Sequence, residues 1–253
     1  MAGHSKWANI KHRKGAQDAK RGKVFSKIAK EIMIVARDGG GNVDDNPTLR
    51  TLIQKARGVN MPADNIDRAI KKGTGEAGDG VIYEELTYEG YGPAGVGLIV
   101  KVLTDNKNRS ASDVRHAFTK AGYNMANSGA VSHAFQRKGL IVIDNSVVEE
   151  DQLFELAIEA GADDIEQEDG SFSVTTEPAA FMEVVGALND AEIPLQSSEL
   201  SLLPDNYIPV SDQKDAEQLL GFIEKLEDLD DVQDVYNNAD IDADVLEKLA
   251  GEG

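Results

Sequence analysis

From Gln17 to Asp38 the apolar residues recur at helical spacing. Phe25, Ile28, Ile32 and Val35 fall on one side of a 100° wheel, and Lys20, Lys23, Lys27 and Lys30 fall roughly opposite. The spacing predicts a helix with one face docked on the protein and a lysine face turned outward. Ile34 does not fit this wheel, because it lies on the lysine side. Gly39-Gly40-Gly41 permits the left-handed turn that ends the helix. Asn46 followed by Pro47 is a cap and first turn for a second helix, whose stripe is Leu49, Leu52, Ile53 and Ala56, with Gly58 as terminator. Pro62 opens a third, with Ile66, Ala69 and Ile70 inward and Lys71-Lys72-Gly73 at its end. These three make a small helical bundle.

The period changes after the glycine-rich linker at 74–80. Ile82–Glu89 and Val96–Leu103 read as strands. The loop between them, Gly90-Tyr91-Gly92-Pro93-Ala94-Gly95, fits G-x-G-x-x-G. A strand rather than a helix follows the glycines, however, so it reads as a hairpin loop and not a pyrophosphate cradle. A helix is expected from Asn108 to Ala121 and a strand over Val131–Phe135. From Leu140 the order is strand, helix, strand, strand, helix, strand: Leu140–Ile143, Glu149–Ala160, Asp163–Gln167, Phe172–Thr175, Pro178–Asp190 and Ile193–Leu202. That order is the ferredoxin-like split βαβ unit, complete in itself. Tyr207–Val210, a helix over 212–226 and the strand Val232–Tyr236 are too little for a domain alone, and the piece before Leu140 lacks a second covering helix. Joining the two resolves both. The expected fold class is therefore α+β and multidomain. It comprises a basic arm and helical bundle (1–79), a discontinuous α+β domain (80–138 plus 204–240) and an inserted ferredoxin-like domain (139–203).

Charge alters this picture. The chain of 253 residues has a net charge of −19, yet residues 1–37 hold ten Lys/Arg against Asp18 and Glu31. Residues 1–72 sum to +9, 73–138 to zero and 139–253 to −28. Such segregation points to a polyanion held at the N-terminal end, with the acidic part read as solubility. Within the arm, Lys6, Lys11, His12, Arg13 and Lys14 surround Trp7, an aromatic that can stack on a base while the cations meet phosphates. With Lys20, Arg21, Lys23, Lys27 and Lys30 they form the candidate nucleic-acid-binding set. The polar stretch 104–110, an Asx-rich capping turn in its plainer reading, adds Lys107 and Arg109 as a second contact beside the basic helix.

No catalytic or metal-binding pattern emerges. There is no cysteine, and the four histidines His4, His12, His116 and His133 have no paired spacing. Asp240, Asp242 and Asp244 begin like an EF-hand, but Val245 and Gly251 stand where the loop needs glycine and glutamate. Walker A, nucleophile-elbow and H-E-x-x-H motifs are absent. No cofactor is expected, and no enzyme. No run approaches the length of a membrane span, and the basic N-terminus has no apolar segment after it as a secretory signal would, so a cytoplasmic chain with no membrane contact is expected.

Several stretches resemble the YebC/PmpR family: Ala2-Gly3-His4-Ser5-Lys6-Trp7, Asn9-Ile10-Lys11-His12-Arg13-Lys14, Met61-Pro62-Ala63-Asp64-Asn65-Ile66, Tyr88-Glu89-Gly90-Tyr91-Gly92-Pro93, Thr104-Asp105-Asn106-Lys107-Asn108-Arg109 and Gly129-Ala130-Val131. The likeness runs the whole chain in order. It implies a cytoplasmic three-domain protein with the same inserted arrangement, named as a probable transcriptional regulator, with organellar relatives that are translational activators. The leading expectation is a non-enzymatic, DNA-binding regulator of transcription. The alternative is a translation factor on ribosomal or transfer RNA, and the third is a protein-interaction module. Protein partners would be met by the acidic domains. No base-reading motif is present to choose a sequence target.

Overall fold

Helix α1 (Arg21–Gly39) buries Ile28 and Ile32 of the expected stripe together with Ala36, while Phe25 and Val35 pack half-buried against the same core. The structure is a computed structural model and describes residues 21–76, 78, 83–168 and 170–251. Helices α2 (Pro47–Gly58) and α3 (Ala63–Gly73) close the bundle over Leu49, Ile53, Ala56, Met61, Ile66 and Ala69. Asn46, itself buried, joins two helix ends. Its Oδ1 accepts from Leu49 N at 3.0 Å, and its Nδ2 donates to Val35 O at 3.0 Å and Gly40 O at 2.9 Å. One cap thereby satisfies the start of α2 and carbonyls at the end of α1. Gly73 sets how close α3 lies to α1: a Cβ there would stand 2.3 Å from Met33 O.

The first sheet has the order β3-β1-β2-β9, all antiparallel: β1 (Glu84–Tyr91), β2 (Gly97–Thr104), β3 (Met125–Ala126) and β9 (Val232–Asn237). Its central strand β2 is buried on both faces, which is why it reads as an unbroken apolar run. Leu98, Val100 and Val102 face α4 (Lys107–Lys120) and α7 (Gln213–Glu227), where Phe118 and Phe222 meet edge-to-face at 5.0 Å. Ile99 points the other way and packs with Val131, Phe135, Leu202 and Tyr236, bridging to the second sheet.

That second sheet lies wholly within 135–204. It contains β4 (Phe135–Asp144), β5 (Ala162–Glu168), β6 (Ser171–Thr176) and β7 (Leu195–Pro204) in the order β5-β6-β4-β7. Helices α5 (Glu150–Glu159) and α6 (Phe181–Asp190) cover one face, over Ile141, Ile143, Phe172 and Val174.

One local expectation is corrected, and three short elements lie outside the sequence reading. Residues 131–135 form no strand of their own: Ser132–Ala134 is a single 3-10 turn, and β4 starts at Phe135. The cause is Glu89, which takes the amides of Gly129, Val131 and Ser132 that a ladder would need. After 236 the chain continues into β10 (Ala239–Ile241), parallel to β8 (Ile208–Val210), and then α8 (Ala243–Gly251), whose Val245 enters the core of the first sheet. The two-residue strand β3 is too short to leave a periodic signature. As for the loop 90–95, it is a hairpin with a 3-10 turn at Pro93–Gly95, and β2 follows directly.

Candidate nucleic-acid interface

Lys6, Trp7, Lys11, His12, Arg13, Lys14 and Lys20 lie outside the described residues, as does the side chain of Arg21. The rest of the candidate set is in view: Lys23, Lys107 and Arg109 stay partly exposed, yet each of them, like Lys27 and Lys30, holds a partner within the protein. Lys23 Nζ donates to Asp228 O at 2.9 Å and lies 3.1 Å from Asp228 Oδ1. Lys27 Nζ donates to Glu227 O and Gln233 O, both at 3.2 Å. Lys30 Nζ donates to Asp230 O at 2.9 Å and to Asp231 Oδ1 at 3.0 Å. The lysine face of α1 thus sits on the C-terminal end of α7 and the turn into β9. This corrects the outward-facing reading: all three ammonium groups bind the protein, although Lys23 stays 44% exposed. The reason is physical: the last carbonyls of a helix lack intrahelical partners and carry the negative end of its dipole, and here Asp228, Asp230 and Asp231 add to it. A helical wheel separates apolar from polar faces, but it cannot tell water from an acidic neighbour.

Asp231 is the centre of the contact and is itself buried. Its Oδ2 accepts from Arg109 Nη2 at 2.7 Å and Nε at 3.1 Å, Ser110 Oγ at 2.7 Å and Thr104 Oγ1 at 3.1 Å. Burial opposes its charge, but the bonds from Arg109, Ser110 and Lys30 prevail and hold its carboxyl down to about 2. The stretch 104–110 therefore does two structural jobs. Asn106 caps α4 by accepting from Arg109 N at 3.1 Å, and Thr104, Arg109 and Ser110 grip Asp231. Arg109 also reaches Asp105 at 2.8 Å, and Lys107 pairs with Glu84. Tyr83 completes the clamp from beyond the linker, its ring 5.9 Å from Lys30 Nζ and its carbonyl 3.3 Å from Arg37 Nη1.

Beside this contact the junction gathers carboxylates. A hollow of about 290 Å³ is lined by Lys23, Lys27, Glu31, Lys55, Glu199 and Asp234, among others. Burial raises the Glu31 carboxyl, and Asp234 and Glu199 push it the same way, against the ion pair to Lys55 at 3.3 Å. Among the described residues no group of three or more His, Cys, Asp or Glu is arranged to hold a metal ion, and no helix is long and apolar enough to cross a membrane.

The sequence profile of the TACO1/YebC protein N-terminal domain matches residues 5–76, and that of the TACO1/YebC second and third domain matches 83–239. The chain belongs to the TACO1/YebC family. A probable transcriptional regulatory protein of Syntrophobacter fumaroxidans is 51% identical over 250 residues, covering 99% of this chain and all of that one. Another so named, from Trichlorobacter lovleyi, is 53% identical over 249 residues, 98% of this chain and all of that one. The crystal structure of a conserved hypothetical protein from Aquifex aeolicus superposes with a TM-score of 0.80 at 43% identity, over 89% of this chain and 92% of that chain.

Some of the stretches that carry the TACO1/YebC likeness have structural work in this chain. Glu89 is buried and takes the amides of Gly129, Val131 and Ser132 at 2.9, 2.6 and 2.9 Å, bonds that hold its carboxyl below the ordinary range although burial opposes this. Gly90 leaves room for the Phe118 ring, since a Cβ would lie 2.3 Å from it. Sequence reasoning passed over Asp228, Asp231 and Glu89. The signal for Asp231 was the Asp228-Leu229-Asp230-Asp231 run immediately after a helix, and for Glu89 an acidic residue amid apolar and glycine positions.

Proposed function

We propose that this chain regulates gene expression by holding nucleic acid, DNA in the first place, through its basic N-terminal segment. The observation that carries this is the charge segregation: ten Lys/Arg against two acids in residues 1–37 of a chain with net charge −19. The printed names of the Syntrophobacter and Trichlorobacter relatives support the transcriptional reading. Because Lys23, Lys27, Lys30 and Arg109 hold Asp228, Asp231 and carbonyls near them, the grip on phosphate falls first to Lys6, Lys11, Arg13, Lys14 and Lys20, which precede or adjoin α1 in sequence. In this reading 1–79, the discontinuous 80–138 plus 204–240, and the inserted ferredoxin-like 139–203 act as three domains in the cytoplasm. The second and third present the first and meet protein partners, and no catalysis is assigned.

Trp7, set among those cations, favours a second reading, single-stranded RNA on the ribosome, because base stacking needs an unpaired base. One experiment addresses both. Affinity for a DNA duplex and for single-stranded RNA is measured against salt, with an expected slope of about −0.9 per phosphate and about four to six phosphates on the duplex. Changing Lys6, Lys11, Arg13 and Lys14 to Gln should flatten that slope by several units, while changing Lys214, Lys225 and Lys248 should not. Trp7→Ala costing about 1–3 kcal/mol on RNA and little on the duplex would favour the RNA reading. A salt-insensitive affinity, or equal losses from the two lysine sets, defeats the proposal.

A further inference from the structure

Residues 139–203 contain 16 Asp/Glu and no Lys, Arg or His. On the helical layer of this region, α5 exposes Glu150, Asp151, Glu155 and Glu159. Among them stand two large apolar side chains, Phe154 at 41% and Ile158 at 46% exposure. Four residues apart, they lie one above the other on a single stripe. Val147, just before the helix, is also exposed. The core under α5 is supplied by Leu153 and Ala157, both fully buried, so the exposed pair is not what holds the helix down.

Isolated exposed apolar residues are ordinary. A stripe of them bordered by carboxylates has a specific complement, since 139–203 holds no Lys, Arg or His and Lys138, on β4 of the same sheet, is paired with Asp163 and Glu177 instead. We infer that this face of α5 docks a basic amphipathic helix of a partner protein, whose apolar side chains cover Phe154 and Ile158 and whose Lys/Arg meet Glu150, Asp151 and Glu155. Charge selects the occupant, because nucleic acid, an acidic helix and the same face of a second copy are all repelled. The apolar i, i+4 pair matches the way amphipathic helices are recognised. The surface is also accessible while the other end of the molecule is occupied. Helices α5 and α6 cover the sheet face that holds Ile141 and Ile143, whereas Leu140, on the opposite face of β4, lines the cleft shared with Thr51 and Gln54 of α2.

The test uses the full chain and labelled synthetic helices read by fluorescence anisotropy: one with a Lys face and a Leu face, one with Leu replaced by Ser, and one with Lys replaced by Glu. The Lys/Leu helix should bind at least about tenfold more tightly than the Lys/Ser helix, and the Glu/Leu helix should not bind. Phe154→Ser with Ile158→Ser should remove that tenfold advantage without moving the unfolding midpoint, and Phe154→Ala alone should remove part of it. Glu150→Gln with Asp151→Asn should weaken both Lys helices and reduce their salt sensitivity. Equal binding of the Lys/Leu and Lys/Ser helices overturns the inference, as does indifference to the Phe154 and Ile158 changes. Tighter binding after removal of residues 1–20 overturns it too, by making the chain's own basic segment the occupant. Duplex affinity of the Phe154/Ile158 variant should be unchanged, so failure here leaves the reading of the N-terminal segment standing, and the reverse holds.

Discussion

Lys30 and Arg109 grip opposite oxygens of one carboxylate. Lys30 Nζ lies 3.0 Å from Oδ1 of Asp231, and Arg109 Nη2 lies 2.7 Å from its Oδ2. The first cation comes from the helical bundle and the second from the helix that follows β2, so Asp231 ties two parts of the molecule at one point. Removing it leaves two cations facing each other. Arg109, at 47% side-chain exposure, can rehydrate, so the cost should fall below that of a fully buried broken pair. Asp231→Ala is expected to lose about 2–3 kcal/mol in urea unfolding. A loss under about 0.5 kcal/mol, the level of an ordinary surface change, would mean that the contact contributes little.

The acid sensitivity of the same group has a defined sign. Its carboxyl is lowered from 3.8 to about 2, so the stability it contributes, about 2 kcal/mol, is complete above pH 4 and is lost as pH falls towards 2. The stability difference between the native chain and Asp231→Asn should therefore shrink steadily between pH 4 and pH 2. A constant difference across that window would contradict the assignment.

Glu31 should behave oppositely. Burial, Asp234 and Glu199 raise its carboxyl, so the folded protein binds its proton more tightly than the unfolded chain does, and stability from this group declines as pH rises through the raised value. Glu31→Gln removes the charge but keeps an acceptor for Lys55. It is expected to raise the unfolding midpoint at neutral pH and to leave it unchanged at pH 4. Destabilisation at neutral pH would show that the Lys55 ion pair outweighs the crowding of carboxylates.

The end of β1 offers a packing test. In Gly90→Ala the added methyl would meet the fully buried Phe118 ring at 2.3 Å, and the ring is also locked edge-to-face on Phe222. Overpacking of this kind costs about 1–3 kcal/mol. Glu89→Gln, which weakens three amide bonds without adding volume, should cost a similar amount, about 1–3 kcal/mol, and should loosen hydrogen exchange at Gly129, Val131 and Ser132. Exchange unchanged at those amides would show that the loop is held by other contacts.

Where apolar period and caps agree, the elements were legible in the residues. Asn46-Pro47 starts α2, Leu49, Ile53 and Ala56 mark its inner face, and Pro62 precedes α3. Segments whose backbone bonds go to side chains escaped that reading, since Glu89 diverts three amides and turns an apparent strand into a 3-10 turn. The short pieces β3 and β10 have too few residues to establish a period. At the candidate interface the polarity of α1 was plain, but its partner was not. The carboxylates and carbonyls that receive Lys23, Lys27 and Lys30 lie about 200 residues further on, and only tertiary structure brings them there.

Helix α1 and the turn after α7 belong to one molecule, connected through residues 74–83, so their lysines and carboxylates meet at an effective concentration of roughly millimolar or more. An anion arriving from solution therefore competes with a tethered one. A single phosphate cannot win that exchange at ordinary concentrations, whereas a polymer held, as proposed, by Lys6, Lys11, Arg13 and Lys14 would arrive with its own high local concentration. The consequence is a threshold: Lys23, Lys27 and Lys30 would be insensitive to mononucleotides and inorganic phosphate, and open only to a long, dense polyanion.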